Sequence, residues 1–325
     1  MSKKTRTIFF LIGLLAIVIM IFTFDLSWED CKYYFKQSGY YLPMACLLWA
    51  VIYFVNTLSW KVILRALNSA HIPFLKLYKF TISGFALNYV TPGGLNGGEP
   101  YRILELRKYL GVEKATSSTI LYSIAHIGSH LLFWMLGALL LLSFNTTYWT
   151  IVMVVLGLGT LLLLLCYLLL KKGVSTLLMK LLGHVPFLKN RIERFVLKNQ
   201  DTISLIDDQV RVVYKEKRSL FISTISLELL ARCVGCLEIL LIPTLVDISY
   251  AEAYLVVGIS SLMGNLLFFM PMQLGGREGG FVLAFSVLGI GLDQGLFVAI
   301  LFRARERLLI IIGIALIQFN RRVKS

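Results

Sequence analysis

The sequence predicts an all-α polytopic membrane protein with six full transmembrane helices and two re-entrant helical hairpins in an inverted-topology repeat. Of its 325 residues, 58% are apolar and 15% are charged, whereas a soluble domain is about 45–50% apolar and about 25% charged. Residues 115–170 contain no Asp, Glu, Lys or Arg. These observations exclude a soluble enzyme, a disordered chain and a disulfide-stapled secreted module. We therefore expect residues 1–325 to form a single integral membrane domain.

Six segments approach the roughly 17–25 apolar residues that a membrane-spanning helix needs. In chain order they are 8–24, 41–60, 115–143, 148–170, 219–246 and 295–318. The first follows a basic start, MSKKTRT, and no small-residue cleavage site comes after it, so it is predicted to be an uncleaved span rather than a signal peptide. The charge-free stretch divides into two spans at a turn near Asn145.

Two further apolar segments, 81–110 and 253–292, are interrupted by Pro and Gly-Gly and then carry charged residues before a helix resumes. Non-helical backbone at membrane depth is tolerated only where protein or water covers it. Both segments are therefore predicted to be re-entrant hairpins. Their turns are expected at Pro92, Gly93, Gly94, Pro271, Gly275 and Gly276.

The distribution of basic residues predicts which side of the membrane each loop faces. If both hairpins return to the side from which they enter, the inside segments are 1–7, 60–80, 93–114, 171–218 and 319–325. These segments hold 25 of the 32 Lys and Arg residues, and the outside loops hold two. Basic residues collect in cytoplasmic loops, so we expect a cytoplasmic (inner) membrane protein with both termini in the cytoplasm.

The two interrupted segments resemble each other. Pro92 precedes Glu99 by seven residues, and Pro271 precedes Glu278 by the same interval. The unit of span, hairpin and span at 41–143 is therefore predicted to recur at 219–318 with inverted topology. Inverted repeats with broken helices are a transporter architecture whose substrate site lies near the membrane midplane.

Charged residues inside apolar segments are the candidate substrate-binding residues, because intramembrane charges are costly and mark functional sites by default. Arginine suits bidentate contact with phosphate, and Gly-rich starts of half-helices present N–H groups that attract anions. The predicted binding set is Glu99, Arg102, Arg277, Glu278, Arg303, Glu306 and His126. The set favours an anionic headgroup as the ligand.

Local roles stay open for several of these residues. The two glutamates, Glu99 and Glu278, could each cap a half-helix, and Glu99–Arg102 and Glu228–Arg232 have the spacing of local ion pairs. His126 and His130 share a helix face, but the glutamate of a zinc-protease motif does not follow the first of them. We therefore expect no metal, and no nucleotide-binding motif points to another cofactor.

Residues 171–218 hold eleven basic and five acidic side chains. Their apolar residues fall near helical spacing at Ile192, Val196, Ile203, Ile206, Val210 and Val213. The pattern predicts a cytoplasmic amphipathic helix that lies on the leaflet or against the bundle, in a loop that anionic lipid attracts. Cytoplasmic loops account for the net charge of +14, so no nucleic-acid partner is expected.

The motifs at 88–99 (NYVTPGGLNGGE), 100–102 (PYR) and 271–280 (PMQLGGREGG) resemble those of the lysylphosphatidylglycerol synthase transmembrane-domain family, also called flippase-like. The resemblance covers about residues 40–320 and implies a domain that moves a lipid or lipid-linked substrate. In the full-length synthases a soluble aminoacyl-transferase domain follows. Here seven residues follow the last span, so we expect a stand-alone member without that domain.

The predicted function is flippase-like translocation of a phospholipid or lipid-linked anionic substrate across the cytoplasmic membrane, without an ATPase in this chain. Membrane phospholipids are the expected partners, and a lipid-modifying enzyme or an oligomer is compatible with this class. The alternatives are a membrane enzyme acting on a lipid phosphate with Glu99 or His126 as general base, a proton- or ion-coupled solute transporter, and a structural subunit. The repeat architecture favours a transporter over an enzyme.

Overall fold

The computed structural model describes residues 39–69, 71–91, 97–174, 194, 196–243, 245, 247–267, 273 and 275–319. Within these residues the regular secondary structure is helical, with no β-strand. The predicted first span, 8–24, lies outside the described residues, as do the predicted turn residues Pro92, Gly93, Gly94 and Pro271.

The described ranges contain nine long helices, numbered here in chain order. They are α1 (Tyr41–Ala66), α2 (Phe74–Val90), α3 (Gly98–Phe144), α4 (Trp149–Lys172), α5 (Gln200–Glu216), α6 (Arg218–Leu240), α7 (Tyr250–Leu266), α8 (Gly276–Val287) and α9 (Leu292–Phe319). A short 3₁₀ turn, Thr146–Tyr148, joins α3 to α4.

Four helical stretches are long and apolar enough to cross a membrane, namely Tyr41–Ala66, Gly98–Phe144, Thr146–Lys172 and Arg218–Leu240. They overlap four of the predicted spans, so the prediction of an all-α, multi-pass membrane protein is confirmed. The helix α9 covers the last predicted span, 295–318, but is not among the four stretches. Its middle carries Arg303, Arg305, Glu306 and Arg307, which makes it too polar to qualify by composition.

Helices from the two halves of the chain interlock. The most extensive packing between described helices is that of α1 against α6. The helix α2 packs against α9, and α3 packs against α6 and α7. Helices from both halves of the chain therefore enclose the space between the halves.

Both interrupted segments fold as a helix, a break and a second helix. In the first, α2 ends at Val90 and α3 begins at Gly98. In the second, α7 ends at Leu266 and α8 begins at Gly276. The two helices of each segment pack against each other. The second helix of the first segment does not end near residue 110 but continues as α3 through a kink at Gly111, where φ is 79° and ψ is 172°.

The helix α5 is amphipathic and packs against the bundle. Ile203, Ile206, Val210 and Val213 form its buried apolar face. The Ser117 hydroxyl on α3 donates a hydrogen bond to the backbone carbonyl of Ile206, at 3.4 Å. The preceding residues 175–193 lie outside the described part of the chain.

Candidate functional site

A cavity of about 380 Å³ lies between the two halves of the chain. Small-molecule sites span about 300–1,000 Å³, so its volume is at the lower end of that range. Helices α1, α2 and α3 form one side, and α6 to α9 form the other. Its polar and charged lining includes Asn56, Asn88, Glu99, Arg102, His126, His130, Arg232, Glu238, Gln273 and Arg277.

The break between α2 and α3 is held by a polar side chain near the end of α2. The amide oxygen of Asn88 accepts a hydrogen bond from the Gly98 N–H at 2.7 Å, and its Nδ2 donates to Glu99 Oε1 at 3.2 Å. Arg102 Nη1 donates to the same glutamate oxygen at 3.2 Å. The local pairing of Glu99 with Arg102 is therefore present, and both residues lie on the cavity wall.

Arg102 is enclosed by aromatic rings. The residue is 1% exposed, and its guanidinium carbon lies 4.8 Å from the ring centroid of Phe85, 5.2 Å from that of Tyr122 and 5.7 Å from that of Trp60. Its Nε and Nη2 atoms have no hydrogen-bond partner among the described residues. Both atoms are buried beside Gly84, so they would form strong charge-assisted bonds to an oxyanion in the cavity only after the guanidinium turns.

An ion-pair cluster joins α8 to α9 in the second half of the chain. Arg303 donates from Nε and Nη2 to the two oxygens of Glu278, at 2.6 and 3.0 Å. Its Nη1 donates to Glu306 at 3.1 Å, and Arg277 also donates to Glu306. The carboxylate of Glu278 accepts a 3.0 Å bond from the Gly275 N–H as well. Glu278 therefore both caps α8 and anchors it to α9.

The two histidines lie where α3 faces α6. His126 Nδ1 is 2.6 Å from Glu228 Oε2, and Asn56 Nδ2 donates to that same oxygen at 3.0 Å. The carboxylate of Glu228 is fully buried, whereas the His126 side chain is 26% exposed and lies on the cavity wall. These contacts connect α1, α3 and α6.

Arg232 bonds to α3 rather than to the glutamate one turn before it. It donates to Ser129 Oγ at 3.0 Å, to His130 Nε2 at 2.6 Å and to the backbone carbonyl of His126 at 2.9 Å. The expected ion pair between Glu228 and Arg232 is therefore wrong. The spacing rule describes an isolated helix, and here the neighbouring helix supplies partners for both residues.

Glu238 and Arg305 are absent from the binding set predicted from sequence, although Glu238 lies on the cavity wall. Arg305 Nε and Nη2 donate to the two oxygens of Glu238 at 2.8 and 3.0 Å. The Tyr41 hydroxyl and Trp49 Nε1 donate to the same carboxylate, at 2.7 and 2.8 Å. The sequence signal that could have identified Glu238 is a carboxylate inside an apolar span. Glu228 has the same feature, so this signal does not single out Glu238.

The structure divides the predicted binding set into two groups. Glu99, Arg102, Arg277 and His126 lie on the cavity wall. Glu278, Arg303 and Glu306 lie behind the wall and are connected to it through the contact of Arg277 with Glu306. No group of three or more metal-ligating side chains that could hold an ion occurs among the described residues.

The described residues thus define an all-α, multi-pass membrane protein with a charged cavity among its helices. A family model described as Lysylphosphatidylglycerol synthase TM region matches residues 10–313, and the chain belongs to that family. The resemblance seen in the two Gly-rich motifs is therefore confirmed, and it links the protein to lipid metabolism or translocation. No curated protein and no solved structure matches the chain.

Proposed function

We propose that this protein translocates the anionic headgroup of a phospholipid or lipid-linked substrate through the cavity between its two halves. The observation that carries the proposal is the presence of three arginines, Arg102, Arg232 and Arg277, on the wall of one cavity of about 380 Å³. Guanidinium groups match the geometry of phosphate oxygens. Family membership favours a lipid over a soluble anion as the source of that phosphate.

The proposed architecture has six spans and two re-entrant hairpins that form repeats of opposite orientation, 41–143 and 219–318. The helix–break–helix form of both interrupted segments supports it, as does the packing of α2 on α9 and of α3 on α7. Alternate opening of such repeats to the two sides moves a site at the midplane from one leaflet to the other. The acyl tails stay in the lipid throughout.

Within this scheme Arg102 is the phosphate-binding residue of the first half, and Glu99 is the carboxylate that it contacts when no lipid is bound. Arg277 is the corresponding cation of the second half, and Glu306 and Arg303 hold it in position. The basic residues of 171–218 draw anionic lipid to the cytoplasmic face. The polar cavity and the apolar exterior keep headgroup and tails in separate environments.

The test is lipid exchange in liposomes that contain the purified chain and a trace of fluorescent phosphatidylglycerol. A membrane-impermeant reductant added outside destroys the label in the outer leaflet, so a loss beyond about half of the signal reports translocation. Arg102→Gln keeps the side chain polar but removes the buried cation, and we expect it to slow exchange by at least about tenfold, since charged hydrogen bonds contribute about 1.5–3 kcal/mol.

The matched control is Arg211→Gln on α5, where the arginine is partly exposed and pairs with Asp208. We expect this variant to exchange lipid at the wild-type rate. Exchange by Arg102→Gln at the wild-type rate would contradict the assignment of the site. A change in lipid mass after incubation would instead indicate the alternative function, a membrane enzyme that modifies a lipid phosphate.

A further inference from the structure

The contact of His126 with Glu228 joins α3 in the first half of the chain to α6 in the second. Glu228 Oε2 contacts His126 and Asn56, and the Tyr122 hydroxyl interacts with the same carboxylate. Burial removes the water that would otherwise solvate this carboxylate, so its charge depends on these neighbours and on Arg232 one turn along α6. A positive charge on His126 would be stabilised by Glu228 and opposed by Arg102 and Arg232, whose charges a bound anion offsets.

His126 is placed to carry that charge. Its Nδ1 contacts Glu228, so Nε2 is the ring nitrogen that remains for water or a ligand. The side chain is 26% exposed and lies on the cavity wall. The imidazole thus connects a fully buried carboxylate with the space in which the headgroup is proposed to bind. Histidine is the side chain whose ordinary pKa lies closest to neutral pH.

The surroundings determine what a proton on His126 would change. The charged or titratable groups around it are Arg102, Tyr122 and His130 from α3 and Glu228 and Arg232 from α6. The helix α1 contributes the uncharged Asn56 through Glu228, and α2 contributes an aromatic ring. Arg232 donates to His130 Nε2, which makes His130 a neutral acceptor there.

A neutral His126 leaves the negative charge of Glu228 balanced by Arg232, and a protonated one adds a net positive charge beside Arg102 and Arg232. That charge appears on the wall where the proposed phosphate contacts lie. Binding of a singly charged phosphodiester and binding of a proton would then reinforce each other, since each neutralises the charge that the other introduces.

We propose that His126 and Glu228 form a proton-binding site that couples headgroup translocation to the movement of one proton in the same direction. The inference rests on the proposed function, and it makes a proton gradient the energy source for translocation. A hydronium ion in the cavity gives its proton to Nε2 of neutral His126, which yields water and an imidazolium whose Nδ1–H stays on Glu228. Opening to the opposite side releases the anion and returns the proton to water.

The experiment applies a pH difference of one unit across liposomes that contain the full chain and fluorescent phosphatidylglycerol. The leaflet distribution of the label is measured after exchange has reached its end point. One proton per lipid predicts about a tenfold excess of label in the leaflet on the alkaline side. We expect His126→Gln and Glu228→Gln to bring the ratio to one. His71→Gln, the same substitution at an exposed histidine, retains the tenfold excess.

A wild-type chain that exchanges the lipid but leaves the leaflet ratio at one overturns the proton-binding proposal, and the proposed function then stands without it. A wild-type chain that exchanges no lipid contradicts the proposed function, and a second measurement then decides the proton site. Dihexanoylphosphatidylglycerol is added to the protein in weakly buffered detergent. Uptake of about one proton per chain that is lost in His126→Gln supports the site, and no uptake overturns it.

Discussion

At the scale of single residues, the buried arginines differ in how they use one edge of the guanidinium group. Arg303 and Arg305 each place Nε and Nη2 on the two oxygens of a carboxylate. In Arg102 the same two nitrogens are without a partner among the described residues. An unmade hydrogen bond at a buried donor costs about 1–3 kcal/mol. This edge lies against Gly84, so an oxyanion in the cavity would bond to it and remove this cost only after the guanidinium turns toward the cavity.

The position of Arg102 depends on the absence of a side chain at Gly84. A Cβ atom at Gly84 would lie 2.5 Å from Arg102 Nε, closer than van der Waals contact permits. We predict that Gly84→Ala displaces the guanidinium without changing any charged group and slows lipid exchange by at least about tenfold, the effect of one lost charged hydrogen bond. Exchange of fluorescent phosphatidylglycerol in liposomes measures it.

The control for Gly84→Ala is Gly157→Ala on α4, where a Cβ would meet nothing within 4 Å. That substitution improves helix propensity by about 1 kcal/mol and should leave exchange unchanged. If Gly84→Ala exchanges lipid as fast as Gly157→Ala does, the exact position of Arg102 is irrelevant to transfer.

At the scale of elements, the kink in α3 separates the short arm that follows the first break from the long apolar stretch that crosses the membrane. Gly111 has φ 79° and ψ 172°, a backbone conformation that is essentially restricted to glycine. The arm carries Glu99 and Arg102, and the stretch after the kink carries His126. The angle at Gly111 therefore sets how these cavity residues face one another.

We predict that Gly111→Ala lowers the free energy of unfolding by about 1–3 kcal/mol, the cost of a side chain in this backbone region. Thermal unfolding in detergent, followed by tryptophan fluorescence, measures the shift. Gly128→Ala on the same helix is the matched control, because Gly128 is helical and a Cβ there would meet nothing within 4 Å. An equal shift for both variants would show that the kink does not depend on glycine.

At the scale of the whole molecule, the features that the sequence predicts are those encoded locally. The four helical stretches that are long and apolar enough to cross a membrane are largely apolar runs in the sequence, and the two helix breaks follow from Gly and Pro clusters. The pairs that build the cavity are not local, because Arg305 meets Glu238 across 67 positions and His126 meets Glu228 across 102. Such pairs depend on how helices pack, and the spacing of Glu228 and Arg232 along one helix therefore suggested a pair that packing does not form.

The length of α3 and the distribution of charge together lead us to expect one orientation of the chain in the membrane. The helix α5 packs at Ser117 near one end of the apolar stretch, and the turn at 145–148 lies at the other end. The intervening helix is about 40 Å long, more than the roughly 30 Å of the hydrocarbon core. The turn and α5 are thus expected on opposite sides, with α5 in the cytoplasm because the loop around it is basic.

We predict that a cysteine at the exposed Thr147 reacts with a membrane-impermeant maleimide in intact cells, whereas one at the exposed Lys215 reacts only after permeabilisation. Thr147→Cys and Lys215→Cys are each made in a chain whose five native cysteines are replaced by serine. Labelling after permeabilisation controls for reactivity at both positions.

The reverse pattern would place α5 outside the cell, and labelling of both positions in intact cells would mean that no bilayer separates them. Protection of Lys215→Cys alone requires that α4, which lies between the two positions, crosses the membrane, and the contact of α5 with Ser117 then places that end of the apolar stretch of α3 on the cytoplasmic side.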